Sequence, residues 1–573
     1  MKRRLLAILM AAVMTASLAA CGSSETATSE SSAAPAEESA AAEESAASSD
    51  DAAASTEAAE GTEAAAVDPD DPWAGWADVD TSEHVVITYM TTGDAPSGDK
   101  AATVDAMLEK LNAILTEKVN AELEIYYIGW TDQLANYNRT LARMDGSVDL
   151  VGTASDWLDA WPNSKNGAFL ELSEEMLQTY APATWQSVSP EHWDLCRYNG
   201  NIYLMPEDNY AQWTNHGFIY RLDWAKEAGL ENGVHSWEDM TEYFRYVKEA
   251  YPDIIPWDSD GNAHMTLAGG WVSSHSDFVS IDGLSNGALW GGTREDLYTV
   301  VTPAYTDTEM MVEFAKMMKE WDTIGVWPTD VLNNKATTNR DDYRIGRVAA
   351  EQHHTQTWTD LVSHTANNTI YQDDPDAESG FFWFGEETGN VTALNITHGA
   401  MAVSAGSANP ERALMVYDLL RNDPDCYHLL CYGEQGVSWD VNDEGLRITP
   451  EGYNADTQDV GNTTNFWWGR NDDLEIRAAD RDWDKIDAMY AELESKSIEY
   501  PYGQFVPEVD AIQGQINNVN ETYGNYMKQI AYGKYNGTAE EIVAEMQAAL
   551  KQAGIEEVTA ELQRQITELY GAQ

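Results

Sequence analysis

Strand and helix patterns alternate regularly between residues 85 and 153. Apolar periodicity at three- and four-residue intervals predicts amphipathic helices from Val104 to Val119 and from Leu134 to Met144. Short apolar runs typical of buried strands stand at 85–90, 123–129 and 148–153. The order β-α-β-α-β predicts a parallel sheet covered by helices, with ligands binding beyond the carboxyl ends of the strands.

The first 20 residues have the composition of a bacterial secretory signal. Three basic residues precede an apolar run from Leu5 to Leu18, and residues 18–21 (LAAC) resemble the site cut before a lipid-modified cysteine. A run of about 14 apolar residues is too short for a permanent membrane helix. We therefore expect cleavage after residue 20 and lipidation of Cys21 on the outer face of the cytoplasmic membrane, with an uncut signal anchor as the alternative.

The composition changes abruptly after Cys21. Residues 22–72 are almost entirely Ser, Ala, Glu, Asp, Thr and Pro, and no Lys or Arg occurs between Arg4 and Lys100. No aromatic or branched aliphatic side chain occurs in this segment before Val67, so it cannot form a core, and its negative charge keeps it extended. Residues 21–80 are therefore predicted to be a lipid-anchored, acidic, disordered tether.

The remaining chain is large and strongly acidic. More than 490 residues exceed what one hydrophobic core usually serves, which predicts two lobes. The whole chain has 33 Lys and Arg against 97 Asp and Glu, a net charge of -64, which argues against nucleic acid as a partner and against binding to anionic lipid surfaces other than through the anchor. The other three cysteines lack metal-ligand spacing. We interpret Cys196, Cys426 and Cys431 as buried thiols, with one disulfide bridge as an alternative.

Several stretches of the folded part resemble a known family. The family is the extracellular solute-binding lipoproteins that deliver sugars and oligosaccharides to ABC importers, in particular its large LplA-like members. The resemblance is carried, in this order along the chain, by 197–206 (RYNGNIYLMP), 218–252 (beginning FIYRLDWAKEAGL), 346–360 (GRVAAEQHHTQTWTD), 396–439 (beginning ITHGAMAVSAG), 465–471 (NFWWGRN) and 553–570 (AGIEEVTAELQRQITELY). Together with the stretches between them, these segments extend over nearly all of the chain after residue 80.

The resemblance implies a two-lobed α/β fold of the periplasmic-binding-protein type, with a hinge and an interlobe cleft. It implies a non-enzymatic, monomeric binding protein without cofactor, whose lobes close on ligand and are then recognised by the transmembrane subunits of an ABC permease. The implied crossovers lie near 207–212 and 388–396. The lobes are expected to comprise 81–210 with 396–440, and 211–395 with 441–573.

Short catalytic motifs are missing from the sequence. We find no nucleotide-binding P-loop, no zinc-protease H-E-x-x-H and no G-x-S-x-G elbow. This absence is weak evidence, because a glycosidase needs only two suitably spaced carboxylates. A surface glycoside hydrolase or lyase, a peptide-binding importer component and a ligand sensor that signals through a partner therefore stay open as alternatives.

The aromatic composition favours a sugar ligand. The chain has 21 Trp and 28 Tyr but only 10 Phe. Trp and Tyr combine an apolar face with a polar edge. A pyranose has C–H groups on its face and hydroxyls at its rim, so rings of this kind can stack on the sugar while polar side chains bond its rim. The predicted ligand is a neutral oligosaccharide.

The candidate ligand-binding residues are aromatic side chains in polar or glycine-flanked loops, together with polar side chains next to them. Trp358 matches the position at which the family presents an aromatic residue. The other candidates are Trp157, Trp213, Trp271, Trp439 and Trp467, with the polar side chains Asp156, Gln212, Glu434 and Arg470. The alternative for each is a packed loop aromatic or a solvated charge. One of the adjacent pair Trp467 and Trp468 is expected to point into the core.

Two segments superficially suggest a metal. His353 and His354 are adjacent, but neighbouring residues of a strand point to opposite faces and cannot easily share a metal ion. Residues 257–262 resemble a degenerate calcium loop through Asp258, Asp260 and Asn262, but they lack the downstream bidentate Glu. The sequence therefore predicts no metal site.

Overall fold

The computed structural model describes residues 71–571 except 209–212, 214–215, 260, 282–287, 334–338, 366–367 and 504. The predicted signal segment, Cys21 and most of the predicted tether lie outside the described residues.

Among the described residues, strands and helices alternate from β1 to β3, and runs of helices and of short strands follow. The strands are β1 (Val85–Thr92), β2 (Ala121–Ile128), β3 (Leu150–Thr153), β4 (Arg197–Tyr198), β5 (Asn201–Ile202), β6 (Met205–Pro206), β7 (His216–Arg221), β8 (Ala350–His354), β9 (Ser379–Trp383), β10 (Ala400–Val403), β11 (Asp440–Val441) and β12 (Arg447–Ile448). The helices are α1 (Gly98–Val119), α2 (Gln133–Arg143), α3 (Ala160–Lys165), α4 (Glu174–Tyr180), α5 (Pro182–Ser187), α6 (Pro190–Leu195), α7 (Leu222–Glu227), α8 (Trp237–Ala250), α9 (His264–His275), α10 (Pro303–Thr306), α11 (Thr308–Ile324), α12 (Asn339–Arg344), α13 (Thr355–Leu361), α14 (Ile370–Asp373), α15 (Pro410–Asn422), α16 (Pro424–Tyr432), α17 (Ala455–Gln458), α18 (Gly461–Thr464), α19 (Trp483–Lys496), α20 (Gln513–Ile530), α21 (Ala539–Ala553) and α22 (Ile555–Tyr570).

The first lobe is built on a five-stranded sheet in the order β2-β1-β3-β10-β6. β1 pairs in parallel with both β2 and β3, while β10 is antiparallel to β3 and β6. The predicted β-α-β-α-β unit is thus confirmed.

The two helices of this unit differ in how well their buried faces were predicted. α1 buries the apolar stripe expected of it, including Met107 and Leu111. α2 buries Tyr137 and Leu141, but Leu134 and Met144 are exposed, so the prediction of a longer buried face was wrong. Met144 adopts a left-handed conformation at the C-cap of α2.

The second lobe has a three-stranded antiparallel sheet in the order β8-β7-β9. Successive side chains of a strand point to opposite faces. Phe218 and Phe382 therefore enter a large core with α8, α11 and the C-terminal helices, whereas Ile219 and Trp383 enter a smaller cluster with Trp358 and α19. This sheet is accordingly covered by apolar side chains on both faces.

Separate cores show that the protein has two lobes. The first core runs from Trp76 to Met205 and from Ile396 to Leu430, and the second runs from Phe218 to Ile566 with α20, α21 and α22. The predicted two-lobed α/β fold is confirmed. Val460, Phe466 and Trp468 pack in the first core, although the predicted domain boundaries assign them to the second lobe.

In the part of the chain that the structure describes, segments of three connections between the lobes are seen. The first two pair with each other through a bridge between Trp213 and Ala393. The third leaves the first lobe at Arg477, whose carbonyl accepts from the N–H of Arg447 at 2.9 Å. It reaches the second lobe at Asp482, whose N–H donates to Ser363 Oγ at 3.2 Å. The crossover predicted near 388–396 lies in the connection between β9 and β10.

The predicted thiols carry no disulfide among the described residues. Cys196 and Cys426 are buried and Cys431 is half-buried, and all three are free. In the same described part of the chain, no helix combines the length and the apolar character needed to cross a membrane.

Candidate functional site

The carboxyl ends of three parallel strands lie side by side in the first lobe. Thr92 of β1 pairs with Ile128 of β2, and the register of β1 with β3 brings the end of β3 to the same level. The loops that follow hold Asp94, Trp130 and Trp157. This is the edge at which the sequence predicts a ligand site.

Two tryptophans give this edge an aromatic surface. Trp157 is 37% exposed, and its ring centroid lies 5.6 Å from that of Trp468. Trp468 is buried in the core and donates from Nε1 to Thr91 Oγ1 at 3.1 Å. Trp467 is half-buried and packs beside Gly399 and Glu207. Of the adjacent pair, Trp468 is therefore the core residue, as expected, and Trp467 is accessible.

A carboxylate and an imidazole meet beside Trp157. His398 Nδ1 lies 2.9 Å from Asp156 Oδ2, although 242 residues separate them along the chain. The other carboxylate oxygen, Asp156 Oδ1, is buried without a hydrogen-bond partner. The same holds for three neighbouring hydroxyls, those of Thr153, Ser155 and Thr397.

A histidine cluster stands at the corresponding end of the second lobe. His216 of β7 pairs with His354 of β8, and their ring centroids are 5.8 Å apart. Burial, and then the charges of His353, His216, Arg340 and His398, lower the pKa of His354 to about 2. Burial and His353 lower the pKa of His216 to about 4. His398 belongs to the first lobe, so one of the charges that act on His354 comes from across the gap between the lobes.

The second lobe also has unpartnered polar atoms here. They are Glu351 Oε2, near the start of β8, His354 Nδ1, at its end, and Gln356 Nε2 and Trp358 Nε1 in the first half of α13. Glu351 itself is 3% exposed, and its other oxygen lies 3.2 Å from His353 Nδ1.

Each lobe therefore contributes four buried polar atoms that have no hydrogen-bond partner. In the first lobe they lie beside the end of β3, and in the second lobe they lie on β8 and α13. Buried polar groups in proteins almost always have a hydrogen-bond partner, so a local concentration of exceptions marks a place that ligand or solvent completes. The arrangement offers carboxylate acceptors, amide and indole donors, and hydroxyls that can do both.

The remaining predicted residues divide by their surroundings. Trp358 and Trp213 are buried at the interlobe side, Trp358 against Phe381 with 5.9 Å between ring centroids and Trp213 against Tyr490 at 5.2 Å. Arg470 lies over Trp467 and pairs with Asp472 at 3.0 Å.

Three other candidates have their own structural partners. Trp271 is packed in α9 and donates to the carbonyl of Met310 at 3.1 Å, and Trp439 donates to the carbonyl of Gly433 at 2.9 Å. Glu434 forms an ion pair with Lys110 at the surface. Packing or surface pairing explains these three residues. Gln212 lies outside the described residues.

Sequence reasoning missed Glu207, Glu351, His216, His354 and His398 as members of this region. His353 and His354 were considered only as metal ligands. Within the described residues, no group of three or more His, Cys, Asp or Glu side chains is arranged to hold a metal ion, and Asp260 is not among those residues. The usable signal was that His216 and His398 stand beside crossovers and that His354 stands at the end of a strand.

Known proteins match the chain in sequence and in fold. A family model described as a domain of unknown function, DUF3502, matches residues 501–570. A carbohydrate ABC transporter substrate-binding protein of Streptococcus pneumoniae serotype 4 is 25% identical over 484 residues, which cover 82% of this chain and 89% of that protein.

Solved structures extend the match to the fold. The N-glycan transport solute-binding protein NgtS of Streptococcus pneumoniae, in complex with Man1GlcNAc, superposes with a TM-score of 0.63 at 21% identity, covering 84% of this chain and 99% of that one. An ABC-transporter-associated, HMO-binding solute-binding protein of Bifidobacterium longum infantis gives a TM-score of 0.58 at 15% identity, covering 86% and 100%. The resemblance carried by the sequence is thereby confirmed, and the chain has the two-lobed fold of the solute-binding proteins that serve ABC importers.

Proposed function

We propose that this protein is the substrate-binding component of an ABC importer, which captures a sugar or oligosaccharide between its lobes and delivers it to a membrane permease. The observation that carries the proposal is the set of unpartnered buried polar atoms contributed by both lobes beside accessible tryptophans. The name of the pneumococcal relative and the ligands named for the two structural neighbours support the same substrate class.

The chemistry of the region fits a sugar. Trp157 and Trp467 offer aromatic faces on which the C–H face of a pyranose can stack. Asp156, Glu351 and Gln356 offer acceptors and a donor for its hydroxyls. Each hydroxyl both donates and accepts, so a hydroxyl-rich ring can pair acceptors and donors together.

The charges favour a neutral ligand. An ionised carboxylate only accepts hydrogen bonds, so Asp156 Oδ1 and Glu351 Oε2 require donors. Sugar hydroxyls supply donors without adding charge. A uronate or a sulfated sugar would place a second negative charge beside a buried carboxylate, which is unfavourable where water is excluded.

Binding proceeds by closure of the lobes. Ligand that contacts both the Asp156 side and the Glu351 side stabilises the closed arrangement, because the open arrangement offers only one wall at a time. No group of the protein undergoes a covalent change, so the role is that of a non-enzymatic binding component. A micromolar ligand corresponds to about -8 kcal/mol.

The location follows from the N-terminal sequence. Lipidation of Cys21 would attach the chain to the outer face of the cytoplasmic membrane, and the acidic segment 21–80 would let a monomeric two-lobed unit reach the permease. The proposal includes this anchor, which rests on the sequence pattern alone.

Calorimetry on the chain from residue 22, without lipid, tests the function. Neutral oligosaccharides, acidic oligosaccharides and short peptides are titrated in turn, and each mixture is then chromatographed for cleavage products. We expect saturable binding of a neutral oligosaccharide with no products. Consumption of the sugar would instead identify a glycoside hydrolase, and binding of peptides alone would identify a peptide importer.

Matched variants test the site. Asp156→Asn and Glu351→Gln keep the shape of each side chain but replace an acceptor oxygen, and each is expected to weaken binding roughly 10- to 150-fold, as hydrogen bonds to charged groups do. Asp253→Asn, at an exposed position of the second lobe, serves as the control and should bind normally. Unchanged affinity in both site variants would place the ligand elsewhere.

A further inference from the structure

The most exposed of the large apolar side chains in the described residues is Trp130, at 55%. It follows β2 in the first lobe and belongs to none of the predicted binding residues. We propose that Trp130 is the platform of an outer subsite, which stacks a further sugar residue of the ligand that Trp157 contacts, so that the protein selects oligosaccharides over monosaccharides. This inference rests on the proposed sugar-binding function.

Strand register places Trp130 on the same edge as the inner site. Thr92 pairs with Ile128, so Trp130 lies two residues beyond the level at which β1 ends. Trp157 follows β3 on the other side of β1. Neighbouring strands are about 4.8 Å apart, so two strand spacings separate these loops by roughly 10 Å at their bases. Two stacking platforms at that separation suit two different rings of one chain better than a single ring.

The turn that carries Trp130 is tied to the sheet. The N–H of Trp130 donates to Asp94 Oδ1 at 3.3 Å, and the N–H of Gly93 donates to the carbonyl of Ile128 at 2.8 Å. A Cβ at Gly129 would lie 2.9 Å from Asp94 Oδ1, so the two loops are in close contact. Contacts on both sides of the turn hold the exposed indole on a defined backbone, as a binding platform requires.

One concave, polar surface adjoins the turn, and a second adjoins Asp94, to which the turn is bonded. A depression of about 280 Å³ between β2 and α2 begins at Ile128 and Gly129 and includes Asn136, Arg139 and Tyr127. The hydroxyl of Tyr127 is buried there without a hydrogen-bond partner. A second depression, of about 320 Å³, starts at Asp94. A sugar residue on Trp130 would therefore find hydrogen-bonding groups within the same edge of the lobe.

A ladder of ligand lengths tests the subsite. Once calorimetry identifies the sugar, affinities are measured for its monosaccharide, disaccharide, trisaccharide and pentasaccharide with the wild type, Trp130→Ala and Trp130→Phe. We expect Trp130→Ala to lose roughly 3- to 10-fold in affinity for the longer ligands, as aromatic contacts of this kind are worth, and to match the wild type on the monosaccharide. Trp130→Phe keeps a ring and should retain most of the long-chain affinity.

Controls distinguish failure of the Trp130 subsite from failure of the proposed sugar-binding function. Leu569→Ala removes a 48% exposed apolar side chain from α22 and should change nothing. Equal affinity of Trp130→Ala and wild type for every length overturns the subsite alone. Normal sugar binding by Trp130→Ala, combined with lost uptake in permease-containing vesicles, assigns Trp130 to the permease contact and also overturns it. Failure of the wild type to bind any sugar overturns both proposals.

Discussion

The indole of Trp468 lies directly against the backbone of Gly152. A Cβ at position 152 would stand 2.2 Å from Trp468 Nε1 and 2.3 Å from Cδ1. Trp468 is 1% exposed and supports Trp157 at the interlobe edge, while the carbonyl of Gly152 accepts from the hydroxyl of Tyr137 at 3.1 Å. The absence of a side chain on β3 thus sets the position of the inner aromatic surface.

Gly152→Ala is expected to destabilise the first lobe and to weaken ligand binding. Trp468 is enclosed and cannot move away without loss of packing, so overpacking should cost about 1–3 kcal/mol. Urea unfolding followed by tryptophan fluorescence measures the loss. Gly524→Ala is the matched control, because a Cβ there meets nothing within 4 Å and alanine favours the helix α20. Equal stability of the two variants would contradict the packing described.

The parts of the fold that depend on local pattern could be predicted from sequence. The apolar stripe of α1 and the strand runs around it determine the parallel unit, because each segment buries one face whatever lies farther along the chain. Leu134 and Met144 fit the same periodicity, but α2 is short and covers the sheet edge, which leaves them in solvent. Periodicity alone does not show how much partner surface exists.

The candidate site depended on contacts that no local pattern contains. Asp156 was predicted as a ligand-binding residue, but its contact with His398 joins residues that are 242 positions apart in the sequence. Trp271 and Trp439 were predicted by the same composition argument as Trp157, and tertiary packing gave their N–H groups carbonyl partners. A tryptophan in a polar loop can therefore be core or platform, and only burial distinguishes the two.

Arg294→Met is expected to loosen the connection between the lobes. Its Nη1 donates to the carbonyl of Lys496 at 2.9 Å, and its Nη2 donates to the carbonyls of Gly389 and Val391 at 2.9 Å each. These hydrogen bonds fasten the β9–β10 connection to the end of α19. Hydrogen bonds to a charged donor are worth about 1.5–3 kcal/mol each and are not additive, so we expect a total loss of about 2–4 kcal/mol.

Denaturant unfolding and small-angle scattering measure this effect. Arg245→Met is the control, because Arg245 pairs with Glu242 and Glu320 at the surface, where such pairs contribute little. The Arg294 variant should show a broader distribution of lobe separations without ligand. If the Arg294 variant is as stable and as compact as the wild type, the connection between the lobes does not depend on Arg294.

Asp258→Asn is expected to stabilise the protein above pH 6. Burial, together with the neighbouring charge of Asp342, raises the pKa of Asp258 from 3.8 to about 6, against the effect of the hydrogen bond from Asn339. A raised carboxyl pKa means that the protonated form stabilises the fold at low pH. That contribution is lost as the pH rises from about 4 to about 6, and it stays absent above.

The asparagine variant removes this pH dependence. Its free energy of unfolding should exceed that of the wild type by about 1–2 kcal/mol at pH 7.5 and should equal it at pH 3.5 to 4. The value at pH 7.5 is smaller than the pKa shift alone implies, because solvent partly screens Asp258. Thermal unfolding across this pH range supplies the measurement, with Asp253→Asn as the exposed control. If the free energy of unfolding of wild type and Asp258→Asn depends on pH in the same way, Asp258 does not destabilise the fold above pH 6.

The side chain of Glu508 is expected to hold the two lobes together in the ligand-free protein. One carboxylate oxygen accepts from the hydroxyl of Tyr198 at 2.8 Å, and the other pairs with Lys165 of the first lobe. Its backbone is fixed to the second lobe by Gln565 of α22, which accepts from the N–H and donates to the carbonyl of Glu508, both at 2.8 Å. The segment matched by the family model of unknown function thus contacts the first lobe through the side chain of Glu508, and Val506 of the same segment packs against the first-lobe core.

Glu508→Gln should therefore shift the distribution of lobe separations in the ligand-free protein. Energy transfer between two dyes, one on each lobe, measures this shift. Stability should change little, because the ion pair is exposed.

Hydrogen bonds from Lys165 and Tyr198 lower the pKa of Glu508. A lowered carboxyl pKa gives a contact that is present above the ordinary pKa of 4.5 and is lost as the pH falls below it. Acidification should then change energy transfer in the wild type and leave Glu508→Gln unchanged. An identical acid response in both proteins would show that the lobes are not held by this carboxylate.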